Sequence, residues 1–121
     1  PSYKSNREFT KEKQVSRSRP PVFKENAEIT LTENNGIYSV KYPKAESTDG
    51  MPVFIYRVYA ENQNGEIVAS GKTIPTYYLY HINETLTTNL ENLPKGKCKI
   101  KIVAETAYGI QSECIERTIE I

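Results

Sequence analysis

Short runs in which apolar and polar residues alternate occupy the chain from residue 21 onward. The clearest run covers residues 97–104, in which every second side chain is apolar: Cys98, Ile100, Ile102 and Ala104. A period of two is typical of a β-strand with one face in a core and the other toward water. This run therefore predicts a half-buried strand.

Six further extended segments, separated by turn residues, surround that strand in the sequence. They contain Ile29–Leu31, Tyr38–Tyr42, Phe54–Val58, Glu66–Ser70, Leu86–Leu90 and Ile115–Ile121. Asn34-Asn35-Gly36 and Asn64-Gly65 supply residues that tolerate positive φ in tight turns. Short strands at this spacing predict an all-β protein, a seven-stranded antiparallel β-sandwich.

The inward positions of these strands define the expected core. Trp is absent, and Tyr is abundant at nine residues, so the apolar bodies of tyrosines must contribute to it. The expected core residues are Leu31, Tyr38, Val40, Tyr42, Phe54, Tyr56, Val58, Leu90, Leu93, Ile100, Ile102 and Ala104.

Residues 1–20 differ in composition and end at Pro20-Pro21. Residues 1–19 carry six Lys/Arg and two Glu, which leaves ten Lys/Arg and thirteen Asp/Glu in the remainder. Scattered large apolar residues do not form a helical stripe, although a helix over residues 6–18 is compatible with propensity. We expect a basic polar tail or interdomain linker before a domain at 21–121. Because the chain begins at Pro1 and its one Met is Met51, we also expect a fragment of a longer protein or a processed product.

Cys98 and Cys114 form an even pair, which in a secreted sandwich suggests a disulfide. However, Cys98 shares the parity of the inward Ile100, whereas Cys114 has the opposite parity to Ile115 on the last strand. Without a bulge the side chains point to opposite faces, and the Cβ approach of about 4 Å that a disulfide needs is not met. A buried free Cys98 is the expected state.

The segment around the clearest strand also carries a family resemblance. Its order is a turn, the alternating strand, a polar residue, and then a glycine and a serine: Leu93-Pro94-Lys95-Gly96, Cys98–Ala104, Glu105, Gly109 and Ser112. This order resembles the E-F corner, F strand and F-G loop of fibronectin type III domains, and Tyr56-Arg57-Val58 is similar to their C strand. The resemblance implies that strands A, B and E face strands C, C′, F and G. It also implies a corner tyrosine where this chain has Cys98, so the corner hydroxyl bond is lost.

A narrower resemblance is carried by four short pieces: Pro21-Val22-Phe23, Tyr42-Pro43-Lys44-Ala45, Tyr77-Tyr78-Leu79 and Ala104–Gly109. They resemble the fibronectin-type domain that closes some bacterial calcineurin-like metallophosphoesterases. The resemblance implies an upstream catalytic domain in the same chain, and a location that is extracellular, periplasmic or at the cell surface.

Few residues of the chain are candidates for a catalytic role. The chain contains one His and one Asp, His81 and Asp49, whereas a dinuclear phosphoesterase site needs several of each. Cys98, Cys114 and His81 lack the spacing of a zinc site, and no nucleophile-elbow, phosphate-loop or dinucleotide motif occurs. The sequence therefore predicts no catalytic residues, no metal and no cofactor. It also contains no apolar run long enough to insert into a membrane.

The candidate binding surface is the aromatic cluster Tyr77, Tyr78, Tyr80 and His81, with Tyr108 in the F-G loop. Aromatic faces with polar tips suit sugar stacking or a protein interface. The alternative is that alternate residues of the run face the core while the others shield a sheet edge. Asn83-Glu84-Thr85 also matches the N-glycosylation pattern, which carries no meaning in a bacterial protein.

Lys95, Lys97, Lys99 and Lys101 lie on one face of the clearest strand. We interpret this stripe as a solvated face offset by Glu113, Glu116 and Glu120, and not as a nucleic-acid site, because no aromatic side chains interleave with it.

These observations favour a non-catalytic accessory or interaction module of a larger, exported bacterial hydrolase, with the upstream domain or another protein as its partner. Two alternatives remain open. One is an adhesion or receptor module that binds through residues 43–53 and 105–111; the other is a carbohydrate-binding module that uses outward tyrosines such as Tyr78 and Tyr80.

Overall fold

The computed structural model describes residues 19–48, 50, 52–75 and 85–121, and this part of the chain folds as an antiparallel β-sandwich. Its strands are β1 (Thr30–Asn34), β2 (Ile37–Pro43), β3 (Val53–Glu61), β4 (Ile67–Thr73), β5 (Thr85–Glu91), β6 (Lys97–Thr106) and β7 (Ile115–Glu120). One sheet has the order β1-β2-β5 and the other β4-β3-β6-β7. The prediction of seven strands divided three and four is confirmed. The described part of the chain contains no helix that could cross a membrane.

Both predicted hairpin turns are present. Asn35 and Gly36 have φ values of 54° and 83° between β1 and β2, the positive-φ pair that matches the twist of a tight hairpin. Between β3 and β4, the Asn62 side-chain oxygen accepts hydrogen bonds from the backbone N–H groups of Asn64 and Glu66, at 2.9 and 3.0 Å. Local side-chain chemistry thus sets the register of each hairpin.

The core lies between the sheets and is centred on two tyrosines. The rings of Tyr42 and Tyr56 lie 5.5 Å apart between centroids, and Phe23 packs on Tyr56 at 6.3 Å. Eight of the expected core residues are buried, and Leu31, Tyr38 and Leu93 are partly buried against them. The core also contains residues that the alternation did not assign to it: Phe23, Ile29, Ala45, Val53, Ala60 and Leu86.

Phe54 is the one expected core residue that the structure contradicts. Val53 pairs with Thr106 and Ile55 pairs with Glu105, so Phe54 is an extra residue in β3. This bulge shifts the alternation by one position, and the Phe54 side chain is 51% exposed. The prediction was wrong because it extended the inward parity of Tyr56 and Val58 through an irregularity that depends on the partner strand.

The sandwich is closed on the side of β4 and β5. A Cβ atom added to Gly71 would lie 2.9 Å from Thr88 Cγ2 and 3.0 Å from the Asn89 carbonyl oxygen. The Thr73 hydroxyl lies 3.0 Å from the Thr87 carbonyl oxygen and 2.7 Å from the Thr88 hydroxyl oxygen. A glycine and a hydroxyl therefore let the edges of the two sheets approach closely.

Candidate interaction surface at the N-terminal end

Three connecting segments lie together at one end of the sandwich. Residues 19–29 lead into β1 there, and the β2–β3 and β6–β7 loops lie at the same end because of the antiparallel strand order. We call this the N-terminal end. It contains residues 19–29, the described part of 44–52, and 107–114.

The segment before β1 is bonded to the β2–β3 loop. Val22 and Glu46 exchange two backbone hydrogen bonds, of 2.9 and 2.7 Å. The Thr48 hydroxyl donates to the Pro20 carbonyl oxygen at 3.1 Å. With Phe23 buried in the core, these contacts hold residues 20–23 in one position on the sandwich.

A buried tyrosine holds the β2–β3 loop from inside. The Tyr56 hydroxyl oxygen accepts a hydrogen bond of 2.9 Å from the Ala45 backbone N–H. Ala45 is itself 1% exposed, so this N–H has no access to water. The bond joins a tyrosine of β3 to the β2–β3 loop and not to the turn before β6, where the sequence has no tyrosine.

The β6–β7 loop is also extensively hydrogen-bonded. Ser112 donates its backbone N–H to the Ala104 carbonyl oxygen at 2.8 Å, and its hydroxyl accepts the Ala104 N–H at 3.0 Å. The Thr106 N–H donates to the Ile110 carbonyl oxygen at 3.0 Å. The buried Ser112 side chain thus closes the base of the loop, and Tyr108 is half-buried within it.

Three large apolar side chains are exposed at or next to this end: Val22 at 52%, Phe54 at 51% and Ile74 at 51%. Ile74 directly follows Thr73, which pairs with Tyr56, so Ile74 lies level with the first residues of β3. Among the described residues, the other exposed large apolar side chains, Ile37, Ile67 and Val68, lie toward the opposite end.

Ile55 was not predicted to be buried, and it lies next to Phe54. It pairs with Glu105 on the outward parity of β3, yet it is 3% exposed and does not belong to the inter-sheet core. Ile55 and Tyr56, which follow the bulge, are therefore two consecutive buried residues of β3. No local sequence signal identifies this position.

Four of the five predicted binding residues, Tyr77, Tyr78, Tyr80 and His81, lie outside the described residues, so the aromatic surface stays a prediction. The structure places the fifth, Tyr108, in the turn that follows β6. The residues that sequence reasoning missed are Val22 and Ile74, because single apolar residues beside turns carry no periodic signal.

Lys97, Lys99 and Lys101 lie on the outer face of the four-stranded sheet, and carboxylates offset them. The prediction that Lys95 shares this face was wrong, because β6 begins at Lys97 and Lys95 lies in the turn before it. Lys101 Nζ lies 2.9 Å from a Glu61 carboxylate oxygen, and Lys99 Nζ lies 3.9 Å from Glu116. The expected offset by Glu116 is confirmed, whereas the partner of Lys101 lies on β3. The hydrogen bond to Glu61 raises the pKa of Lys101.

Burial is the main influence on the pKa of two core groups, the Tyr42 hydroxyl and the Cys98 thiol. Burial raises the pKa of the Tyr42 hydroxyl, an effect that its hydrogen bonds to Thr88 and Thr73 oppose. Burial also raises the pKa of the Cys98 thiol. Both groups are therefore neutral at pH 7, the form that an apolar surrounding favours.

Cys98 is buried and Cys114 is exposed, and both are free thiols. The parity argument against a disulfide is confirmed. Among the described residues no three His, Cys, Asp or Glu side chains are grouped so as to hold a metal ion.

Comparison of the chain with models of protein families and with curated proteins finds no match.

Proposed function

We propose that this chain is a non-catalytic accessory module with a fibronectin type III-like sandwich, which packs its N-terminal end against a partner domain. The observation that carries the proposal is Phe54, an aromatic side chain that a β-bulge directs out of the core and leaves 51% exposed. Aromatic residues are enriched at the centres of protein interfaces, where they contribute much of the binding energy.

The surroundings of Phe54 support this role. Ile74 and Val22 are half exposed at the same end. Burial of apolar surface contributes about 25 cal/mol per Å², so a partner that covers these three side chains gains more than one that covers the charged outer face of β6. A stretch of surface with several such residues suits a domain interface.

The loops around Phe54 favour a preorganised surface. The Val22–Glu46 backbone pair, the Ala45 bond to Tyr56 and the Ser112 contacts with Ala104 hold the segments of this end in place. Binding to a surface that is already ordered loses less conformational entropy than binding to loops that must first become ordered.

The partner we propose is an upstream catalytic domain of an exported bacterial hydrolase, such as a metallophosphoesterase. This part of the proposal rests on the resemblance of Pro21-Val22-Phe23 and Tyr42-Pro43-Lys44-Ala45 to the closing domains of those enzymes. Both pieces lie at or beside the N-terminal end. The location outside the cytoplasm is proposed on the same basis.

The test uses matched serine variants in the full-length polypeptide that carries this chain and in the 121-residue chain alone. Phe54→Ser removes the proposed contact, and Ile67→Ser removes an apolar side chain that is 61% exposed at the opposite end. In the 121-residue chain both variants should change the free energy of unfolding by about 0.5 kcal/mol or less, as exposed positions do.

In the full-length polypeptide only Phe54→Ser should lower the unfolding midpoint and speed amide hydrogen exchange at residues 53–55. Equal behaviour of the two variants there would show that Phe54 makes no interdomain contact and would refute the proposal. Loss of hydrolase activity is not needed for support, because the module contributes no reacting group.

A protein-binding module that uses the β6–β7 loop is the second candidate, and the hydrogen-bonded loop with Tyr108 favours it. In that case Tyr108→Ala should abolish binding to a separate partner while Phe54→Ser leaves that binding intact.

A further inference from the structure

The two Asn-Gly pairs of the chain lie in exposed turns at the end of the sandwich opposite the N-terminal end. Asn35-Gly36 joins β1 to β2, and Asn64-Gly65 lies between β3 and β4. An asparagine that precedes glycine can lose its side-chain amide, because glycine has no Cβ atom to hinder attack by its backbone nitrogen. Both asparagines are exposed, so water reaches the groups that react.

This loss of the amide is a deamidation in two steps. The glycine N–H gives its proton to hydroxide, its nitrogen bonds to the asparagine Cγ, and the Cγ–Nδ2 bond breaks. The released nitrogen takes a proton from water and leaves as ammonia, which restores the hydroxide. Water then opens the resulting succinimide ring at either carbonyl and yields aspartate or isoaspartate. The rate therefore depends on how readily the glycine N–H loses its proton and how freely the asparagine backbone rotates.

A carboxylate holds the N–H of Gly36. This group donates a hydrogen bond of 2.8 Å to Glu33 Oε1, and a bond to an ionised acceptor is stronger than one to a neutral acceptor. Loss of the proton would place a second negative charge beside the carboxylate, and a like charge nearby disfavours the ionised form. Glu33 therefore opposes attack by the Gly36 nitrogen on Asn35.

The N–H of Gly65 has a neutral acceptor. It donates to the Asn62 backbone carbonyl oxygen at 3.1 Å, a longer bond without an ionised partner. The Asn62 side-chain oxygen accepts the N–H groups of Asn64 and Glu66, and neither of these is the attacking group. The Gly65 nitrogen is thus held less firmly in its protonated form than the Gly36 nitrogen.

The lengths of the two turns favour the same difference. Two residues, Asn35 and Gly36, separate the paired positions of β1 and β2, and Asn35 has a φ of 54°. Such a short hairpin fixes the backbone angles of both turn residues. Five residues, 62–66, separate the paired positions of β3 and β4, where the register also shifts between Ala60 and Glu61. Rotation toward the ring geometry is therefore less restricted in the β3–β4 turn.

We propose that Asn64 is a site of spontaneous deamidation, with water as the co-reactant, and that Glu33 protects Asn35 from the same reaction. The proposal rests on the acceptors of the two glycine N–H groups and on the lengths of the two turns. It stands apart from the proposed function, because both turns lie away from the end that contains Val22 and Phe54.

The isoaspartate product changes the β3–β4 turn. Its backbone continues through the side-chain carbons, which adds one methylene group between residues 64 and 65. This displaces the Glu66 N–H relative to the Asn64 N–H, and both donate to the same Asn62 oxygen at 3.0 and 2.9 Å. We expect faster amide hydrogen exchange at Glu66 in the isoaspartate form.

The test follows both asparagines in the complete 121-residue chain during incubation at mildly alkaline pH. Tryptic peptides 25–41 and 58–72 contain one Asn-Gly pair each, and fragmentation in a mass spectrometer assigns each new carboxyl group to a residue. Asn64 should convert about fivefold faster than Asn35, which is the effect of exchanging a neutral for an ionised hydrogen-bond acceptor.

Matched variants separate the effect of the carboxylate from that of the turn. Glu33→Gln removes the charge and keeps a side-chain oxygen that can accept the Gly36 N–H. Conversion of Asn35 should then become about fivefold faster, while conversion of Asn64 stays unchanged. The control Glu91→Gln removes an exposed charge from β5 at the position that pairs with Ile37, and it should change neither rate.

Unfolding provides the second control. In concentrated urea the hydrogen bonds of both turns are absent, so Asn35 and Asn64 should convert at similar rates. A difference that persists in full in urea would assign it to neighbouring residues and not to the fold, and would overturn the proposal. Equal rates in the folded chain, or an Asn35 rate that Glu33→Gln does not raise, would overturn it as well.

Discussion

The hydroxyl oxygen of Tyr56, in the centre of β3, accepts the backbone N–H of Ala45 from the β2–β3 loop at 2.9 Å. Tyr56 is 0% exposed and Ala45 is 1% exposed, so the bond lies in a region that water does not reach. An unpaired N–H in such a place costs more than an average hydrogen bond contributes. Tyr56 thereby connects the core to the β2–β3 loop, in which Glu46 pairs with Val22 of the segment before β1.

Tyr56→Phe should destabilise the domain more than Tyr42→Phe. Removing the Tyr56 hydroxyl leaves the buried Ala45 N–H without this acceptor, at a cost of about 1–3 kcal/mol. Removing the Tyr42 hydroxyl leaves Thr88 still bonded to Thr73 at 2.7 Å, so the loss should be about 1 kcal/mol. Urea unfolding of both variants measures the difference, and equal losses would contradict it.

Gly71→Ala should destabilise the sandwich, because a Cβ atom there meets Thr88 Cγ2 at 2.9 Å and a backbone oxygen at 3.0 Å. Overpacking of this kind costs about 1–3 kcal/mol. Ser70→Ala, at the exposed neighbouring position, is the matched control. Adding Thr88→Ser to Gly71→Ala removes the methyl contact and should restore part of the loss in thermal unfolding; no recovery would place the strain at the Asn89 carbonyl.

Stability should fall as the pH rises through the alkaline range. The pKa values of Cys98 and Tyr42 are raised in the folded state, so the unfolded chain loses these protons first, near pH 8.5 and pH 10 respectively. Above those values the unfolded state binds fewer protons, and the free energy of unfolding decreases by at most about 1.4 kcal/mol per pH unit for each group. Below about pH 8.5 both groups keep their protons in the folded and the unfolded state, so this decrease in the free energy of unfolding is absent.

Variants separate the two contributions to that decline. Cys98→Ala should remove the part that begins near pH 8.5, and Tyr42→Phe the part that begins near pH 10. The measurement is urea unfolding at intervals from pH 7 to pH 11. A decline that both variants retain in full would show that other groups cause it.

The two thiols should differ in their reactivity toward an alkylating reagent. Cys114 is exposed and Cys98 is 1% exposed with a raised pKa. Because the thiolate is the reactive form, Cys114 should be modified in the folded protein at pH 8 and Cys98 only after unfolding. Mass spectrometry of the modified peptides measures both rates, with Cys114→Ser as the control. Modification of both at the same rate would mean that the core opens freely.

Local pattern was enough for the fold class, the strand positions and the two hairpin turns. Alternation in residues 97–104 and the Asn-Gly pairs are properties of adjacent residues, and they act wherever the segment lies. The parity of Cys98 and Cys114 was likewise sufficient to exclude a disulfide, because no bulge interrupts the pairing of β6 with β7.

The exposed position of Phe54 shows what local pattern could not determine. Its direction depends on how β3 pairs with β6, two segments far apart in sequence, and the extra residue exists only in that pairing. Ile55, the next residue, is 3% exposed although it pairs with Glu105 on the outward parity of β3. Both belong to the end of the sandwich that we propose as the interface.

The amino-acid sequence by itself determined that this is a β-sandwich with seven strands, a mainly aliphatic and tyrosine core, and a basic segment before an acidic domain. Only the tertiary structure decided which side chains leave the core, where Gly71 lets the two sheets meet, and that the Arg117 side chain of β7 donates a hydrogen bond to the Ile29 carbonyl oxygen before β1. The physical reason is that alternation within a strand is set by neighbouring residues, whereas register, bulges and contacts between the sheets arise when distant strands pack together.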